Sequence, residues 1–288
     1  MIGAGFASIP SPSSNKIEIG PLDLTFYGML IALGALAAIA LAQRRWSQRG
    51  GDPELMQRIG VWSVAAGVVG ARVAYLIPRL GRFEGRWLET LYIWEGGLAI
   101  FGGLIAGTVT GCLMARRAGV DLPNLLDAVA PAIPLAQAIG RWGNYFNQEL
   151  FGRPTDLPWG LEIAAENRPP DLAGAELFHP TFLYESLWNL GVVALLVWLD
   201  RRRILPRGNL FVAYLGLYGV GRFWIELLRV DTTFRLFGLS RNAMFALAVA
   251  AIAAVVLVIR GRRTAGEAGE VDVHEHEPAP QGQGEEHG

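Results

Sequence analysis

Seven long apolar stretches, separated by arginine-bearing connections, constrain this chain more than any other feature. They are Leu24–Ala42, Ile59–Ile77, Gly96–Ala115, Leu125–Ile139, Phe182–Leu199, Leu210–Leu228 and Ala243–Ile259. A helix needs about 20 apolar residues to cross the hydrocarbon core of a bilayer. Inside that core only helices and closed barrels satisfy their own backbone. The runs qualify or come close, which predicts an all-α, polytopic membrane protein with seven transmembrane helices. The fourth run is short and holds Pro131 and Pro134, which predicts a kink or only partial insertion. Only 18% of the residues are charged, below the roughly 25% of soluble domains.

Arginines set the orientation. Arg44, Arg45 and Arg49 follow the first run, Arg116 and Arg117 the third, Arg201 to Arg207 the fifth, and Arg260 to Arg263 the seventh. Basic residues concentrate on the cytoplasmic side, so the N-terminus is expected outside and the C-terminus inside. Residues 1–23 form an extracytoplasmic segment and 24–263 a transmembrane catalytic domain. Within it, residues 140–180 form a small extracytoplasmic cap between helices four and five. Residues 264–288 are rich in Gly, Glu, Pro and His and predict a disordered cytoplasmic tail. The first run is not a cleavable signal, because its arginines follow it rather than precede it. The single cysteine, Cys112, excludes an intrachain disulfide and any CxxC site. It reads as a small buried hydrophobe.

Charged side chains within spans are costly and mark function. They include Arg72, Glu185, Arg222 and Glu226. In LYGVGRFWIELLR, the residues Tyr218, Arg222, Glu226 and Arg229 share one helical face. A structural Arg222–Glu226 pair would account for part of this stripe. Arginine ahead of glutamate at i,i+4 is the weaker order, however, which favours a polar cavity. In HPTFLYESLWN, Pro180 suits a first helical position, leaving His179 at the outer mouth and Tyr184 and Glu185 a turn deeper. His179 is the only histidine outside the tail, open either to catalysis or to capping the helix. No metal site is expected, since the tail histidines lack a fixed frame.

The densest polar block is GRWGNYFNQELFG, residues Gly140 to Gly152. Arg141 offers a planar fork suited to phosphate oxygens, Asn144 and Asn147 add neutral donors, and the glycines allow close backbone approach. Together with Arg222, Arg141 would suit a phospholipid head group.

This block resembles the signature of the bacterial phosphatidylglycerol–prolipoprotein diacylglyceryl transferases. FYG at Phe26–Gly28, WEGGLAIFGG at Trp94–Gly103, HPTFLYE at His179–Glu185 and YGVGRFWIE at Tyr218–Glu226 match as well. In this order they are highly specific, and the resemblance covers roughly residues 10 to 262. It implies a seven-helix enzyme of the bacterial cytoplasmic membrane that needs no metal or cofactor. Its partners are phosphatidylglycerol, prolipoprotein signal peptides with a lipobox cysteine, and the bilayer, with no nucleic acid. The reaction moves a diacylglyceryl unit onto the cysteine thiol, forming a thioether and releasing glycerol 1-phosphate. Carried over residue by residue, Arg141 binds the lipid phosphate, Asn144 orients it, and Glu149 takes the motif's acidic place. Arg222 and Glu226 match the sixth-helix pair, and Tyr27 a tyrosine of the first span. Asn147, Tyr218 and His179 complete the expected substrate-binding set, beside the catalytic set of Arg141, Arg222, Glu226 and Glu149.

One departure matters. Some members carry a histidine before the paired glycines, proposed as the base, where this chain has Phe101. The expected mechanism therefore rests on the arginines. A cysteine thiol has a pKa near about 8.5 and reacts as the thiolate. Nearby guanidinium groups favour the thiolate and stabilise charge on the leaving phosphate. Glu226 and Glu149 are the candidate proton acceptors, with His179 or a tyrosine behind them. A transporter of anionic solutes would also use a polar stripe, but the runs show no obvious internal two-fold repeat.

Overall fold

The first two helices start where a side chain supplies a partner for the amides that the first turn leaves unpaired. A computed structural model describes residues 8–20, 22–93, 96–230, 235–236 and 238–275. The motif residues Trp94 and Glu95, and the end of the tail from residue 276, lie outside the described residues. A short hairpin, β1 (Lys16–Ile19) with β2 (Leu22–Thr25), leads into α1 (Phe26–Gln48). The Thr25 hydroxyl caps α1 by accepting from the Gly28 amide at 3.1 Å. Asp52 caps α2 (Pro53–Leu76) in the same way through the Glu54 amide at 2.8 Å, with Pro53 at the first helical position. Then follow α3 (Ile100–Arg117), α4 (Leu122–Val129), α5 (Ala132–Phe146), α6 (Thr181–Arg201), α7 (Asn209–Leu228) and α8 (Arg241–Glu275). The lobe between α5 and α6 holds the pair β3 (Leu161–Glu162) and β4 (Leu177–Phe178). A last pair, β5 (Arg235–Leu236) and β6 (Leu239–Ser240), precedes α8.

The expected kink is present: α4 and α5 form one rod broken at Ala130 and Pro131. Counted so, six helices are long and apolar enough to cross a membrane among the described residues. The seventh, α3, has 18 residues and ends on Arg116 and Arg117, which lower its hydropathy. Helix α5 continues through Phe146, so the start of the 140–180 segment is helical. At the other end α8 runs past Thr264 to Glu275, since extending an existing helix costs far less than nucleating one.

Lipid offers no hydrophobic drive between helices, so close packing of small residues must hold them. A Cβ added to Gly102 on α3 would sit 2.4 Å from the Gly70 carbonyl oxygen of α2. On α5, a Cβ at Gly143 would sit 2.6 Å from the Tyr27 ring of α1. The lobe has its own core of Phe151, Leu161, Ile163, Phe178 and Phe182. An N-terminal strap lies across it: the Ile9 amide donates to the Gly160 carbonyl at 2.9 Å and the Ile9 carbonyl accepts from the Glu162 amide at 2.9 Å. The Ser8 hydroxyl also donates to the Glu162 carboxylate, and the Tyr145 hydroxyl to the Pro10 carbonyl at 3.0 Å.

Candidate active site

Arg141 and Asn144 fall three residues apart on the last turns of α5, hence on one face. Arg141 Nη1 donates to Asn144 Oδ1 at 3.1 Å, and Asn144 Nδ2 donates to Glu149 Oε1 at 2.8 Å. Asn147 Nδ2 reaches the same Glu149 oxygen at 3.2 Å. Glu149 can fold back in this way because its neighbours Gln148 and Leu150 adopt left-handed backbone, with φ of 49° and 59°. Such φ values are rare outside glycine and mark a constrained, functional turn. The turn is held from outside. Gln148 Oε1 accepts from the Ala164 amide at 2.8 Å, and the Leu150 carbonyl accepts from Thr181 Oγ1 at 2.5 Å.

The polar stripe of α7 faces this block. Glu226, 2% exposed, lies with Oε2 2.6 Å from Arg222 Nη2 and 4.0 Å from Arg229 Nε. The 2.6 Å contact is off the hydrogen-bonding line, so it acts as an ion pair. Glu226 Oε1 accepts from Ser240 Oγ at 2.9 Å, at the end of β6, and from Asn242 Nδ2 at 3.1 Å, in the first turn of α8. Glu185 of α6 joins the two halves. Its carboxylate sits 2.6 Å from Arg141 Nη2 and 3.7 Å from Arg222 Nη1. Cations and carboxylates therefore alternate from Arg141 through Glu185, Arg222 and Glu226 to Arg229. Alternation is what allows buried charges to persist, since an unpaired buried charge would be far too costly.

A cavity of about 640 Å³ opens beside Arg141, between α1, α2, α5 and the α4–α5 break. Arg141, Asn144, Tyr27, Gln137 and Tyr218 form its polar end, and the rest is mostly alanine, isoleucine and valine, with Met56 and one hydroxyl, Ser63. A second cavity of about 20 Å³ lies among Arg141, Glu185, Tyr218 and Arg222. Arg141 borders both, so its fork stands where an apolar groove meets a chain of charges.

The structure thus brings together Arg141, Asn144, Asn147, Glu149, Arg222, Glu226, Tyr27 and Tyr218. His179 stands apart. Its Nδ1 lies 3.3 Å from the Tyr184 hydroxyl, which also accepts from Trp159 Nε1 at 3.0 Å, and it borders neither cavity. Burial holds its imidazole below the ordinary histidine range. Phe101, 74% exposed on α3, does not line the groove. Sequence reasoning noted Glu185 as an intramembrane acid but did not give it a place in the site. The available signal was charge balance: Arg141 and Arg222 needed an acid from a third helix.

The family model described as prolipoprotein diacylglyceryl transferase matches residues 15–259. A phosphatidylglycerol–prolipoprotein diacylglyceryl transferase 1 of Streptomyces coelicolor is 46% identical over 265 residues, covering 90% of this chain and 76% of that protein. A phosphatidylglycerol–prolipoprotein diacylglyceryl transferase of Cutibacterium acnes is 41% identical, covering 94% of this chain and 92% of its own length. One from Trichormus variabilis is 45% identical over 77% of this chain and 80% of its own. With its fold, its multi-pass helices and a match over most of its length, the chain belongs to the prolipoprotein diacylglyceryl transferase family.

Proposed function

We propose that this protein transfers the diacylglyceryl unit of phosphatidylglycerol to the lipobox cysteine thiol of prolipoproteins in the bacterial cytoplasmic membrane. The observation that carries the reading is the position of Arg141, at the junction of an apolar groove and an alternating charge chain. A phospholipid is built in the same way, with hydrocarbon on one side of a phosphate. The lipid phosphate takes the Arg141 fork, exchanging with the Glu185 carboxylate, while Asn144 fixes the fork's rotation through its 3.1 Å hydrogen bond. Tyr27 and Tyr218 flank the head group, and the groove receives acyl chain.

The thiolate sulfur attacks the glycerol carbon that carries the phosphate. A carbon–sulfur bond forms, the carbon–oxygen bond breaks, and the electron pair leaves with glycerol 1-phosphate. Arg141 and Arg222 stabilise the charge that accumulates on the phosphate as the bond breaks. The thiol proton passes to a carboxylate. Glu149 suits this role because it is exposed at the rim, whereas Glu226 is enclosed by four partners. The arrangement also favours seven spans, with α3 the seventh. The strap and lobe then lie outside, and the arginine-bearing helix ends inside.

The test combines purified protein, phosphatidylglycerol and a peptide containing a lipobox cysteine. Thioether-linked diacylglyceryl peptide and glycerol 1-phosphate should appear in equal amounts. If neither forms with the folded protein, the proposal fails.

A further inference from the structure

The groove beside Arg141 has a mouth and a floor of different construction. Tyr27, Ile31 and Ile100 at the mouth are exposed, whereas Ala42, Met56 and Ile59 at the far end are 5%, 2% and 6% exposed. These three floor residues belong to a packed cluster with Trp46, Ala115 and Leu125. Because Gly143 packs against the Tyr27 ring, Tyr27 marks the level of the head-group position. From there to Ala42, α1 rises ~22 Å. A volume of about 640 Å³ spread over that length gives a channel roughly 6 Å across, room for one hydrocarbon chain at carbon contact distances of ~3.5–4 Å and not for two abreast.

Resting on the diacylglyceryl reading above, we infer that the groove measures one of the two acyl chains of the lipid, and that Ala42, Met56 and Ile59 set the longest chain accepted. Each added methylene gains contact with the walls until the terminal methyl meets the floor. Beyond that point the excess must invade a packed core or pull the phosphate away from Arg141. A chain in its own leaflet spans about 15 Å, half the hydrocarbon thickness, so the groove holds its chain straighter and deeper than the bilayer would. An all-staggered chain advances ~1.3 Å per carbon, so about 17 carbons fill it. The second chain finds no room inside. It stays on the lipid side, past the exposed Ile31 and Val64, and goes unmeasured.

The experiment offers the full-length protein and one lipobox peptide a mixture of phosphatidylglycerols in a single detergent micelle. The mixture contains a symmetric series of acyl lengths and pairs of positional isomers, with the long chain on one or the other glycerol carbon. Products are identified by mass. A sharp upper cutoff is expected, with transfer falling at least about 10-fold when a chain overruns the floor, and the two positional isomers should differ. Ala42→Leu should lower the preferred length and Met56→Ala should raise it. The lipids compete for the same protein sample, so partial unfolding of a variant cancels from every ratio. A flat length profile, equal positional isomers, or variants that scale all lengths alike would overturn the inference. Absence of thioether product from every lipid would instead overturn the transfer reading beneath it.

Discussion

At the Arg141 end of the bundle, Arg141 and Arg222 contact only side chains among the described residues: Asn144, Glu185 and Glu226. At the opposite end Arg45 closes onto backbone as well. Arg45 Nε donates to the Ala128 carbonyl at 3.0 Å and Nη2 to the Asp127 carbonyl at 3.2 Å, while Nη2 also meets Asp200 at 3.0 Å. Arg49 shares Asp200 and reaches Asn124 Oδ1 at 2.7 Å. The Asp127 carboxylate takes the Gly208 and Phe211 amides at 2.6 and 3.1 Å, capping the start of α7. Arg72 follows the same rule, spending its fork on the carbonyls of Glu89, Thr90, Gly96 and Gly97. An arginine bonded to main chain is fixed with the fold. One bonded only to side chains can exchange them for a substrate anion without unmaking a helix. The same residue type therefore serves as a fastener where it bonds main chain, and is open to exchange where it bonds side chains alone.

The sharpest way to break this comparison is Arg141→Lys. Lysine keeps the charge but not the fork, so transfer should fall by about 10²-fold or more, with the melting temperature in detergent nearly unchanged. A large loss of thermal stability would place Arg141 among the fasteners. Glu185→Ala comes next. It leaves Arg141 and Arg222 without their shared carboxylate, and breaking a buried pair costs about 3–5 kcal/mol. Both transfer rate and melting temperature should drop, and Glu185→Gln should recover stability more than rate.

Asp127→Asn probes the other end. One amide oxygen cannot satisfy both the Gly208 and Phe211 amides, so stability should fall by about 1–3 kcal/mol. Transfer per folded molecule, measured with the same peptide assay, should hold. The smallest effect belongs to His179→Gln. With its folded pKa depressed by burial, His179 contributes stability fully above about pH 6.5 and loses it as the pH falls through the folded value. The variant should melt with a weaker dependence on pH below that point. A loss of transfer at neutral pH as large as that of Arg141→Lys would return His179 to the site.

Much of this was legible in the chain. Apolar length located the helices, and Pro131 with Pro134 announced the break between α4 and α5. The stripe of Tyr218, Arg222 and Glu226 was visible because helical periodicity is local. Glu185 was harder to place, because its pairing depends on how α6 packs on α5. There the Ser186 hydroxyl donates to the Ala138 carbonyl at 3.0 Å and Trp142 Nε1 donates to Ser186 at 3.2 Å. Arg45 and Arg49 read only as orientation signals, since a basic residue at a helix end looks the same whether it meets water or a distant aspartate. The groove left no sequence signature either. Its alanines and glycines are the residues that any tight membrane packing would use.

The N-terminal strap has a consequence for how the protein is made. Ser8 and its partner Glu162 are 154 residues apart. At synthesis rates of ~5–20 residues per second, the strap waits on the order of 10–30 s for its partner strand to appear. Helices α1 to α5 are therefore threaded into the bilayer while residues 8–12 remain unpaired. Docking of the strap onto β3 comes late, sealing a lobe whose edge is open until then. The earliest described residues are thus among the last to be placed, and a stalled strap would leave the helices assembled but the lobe beside Glu149 unfinished.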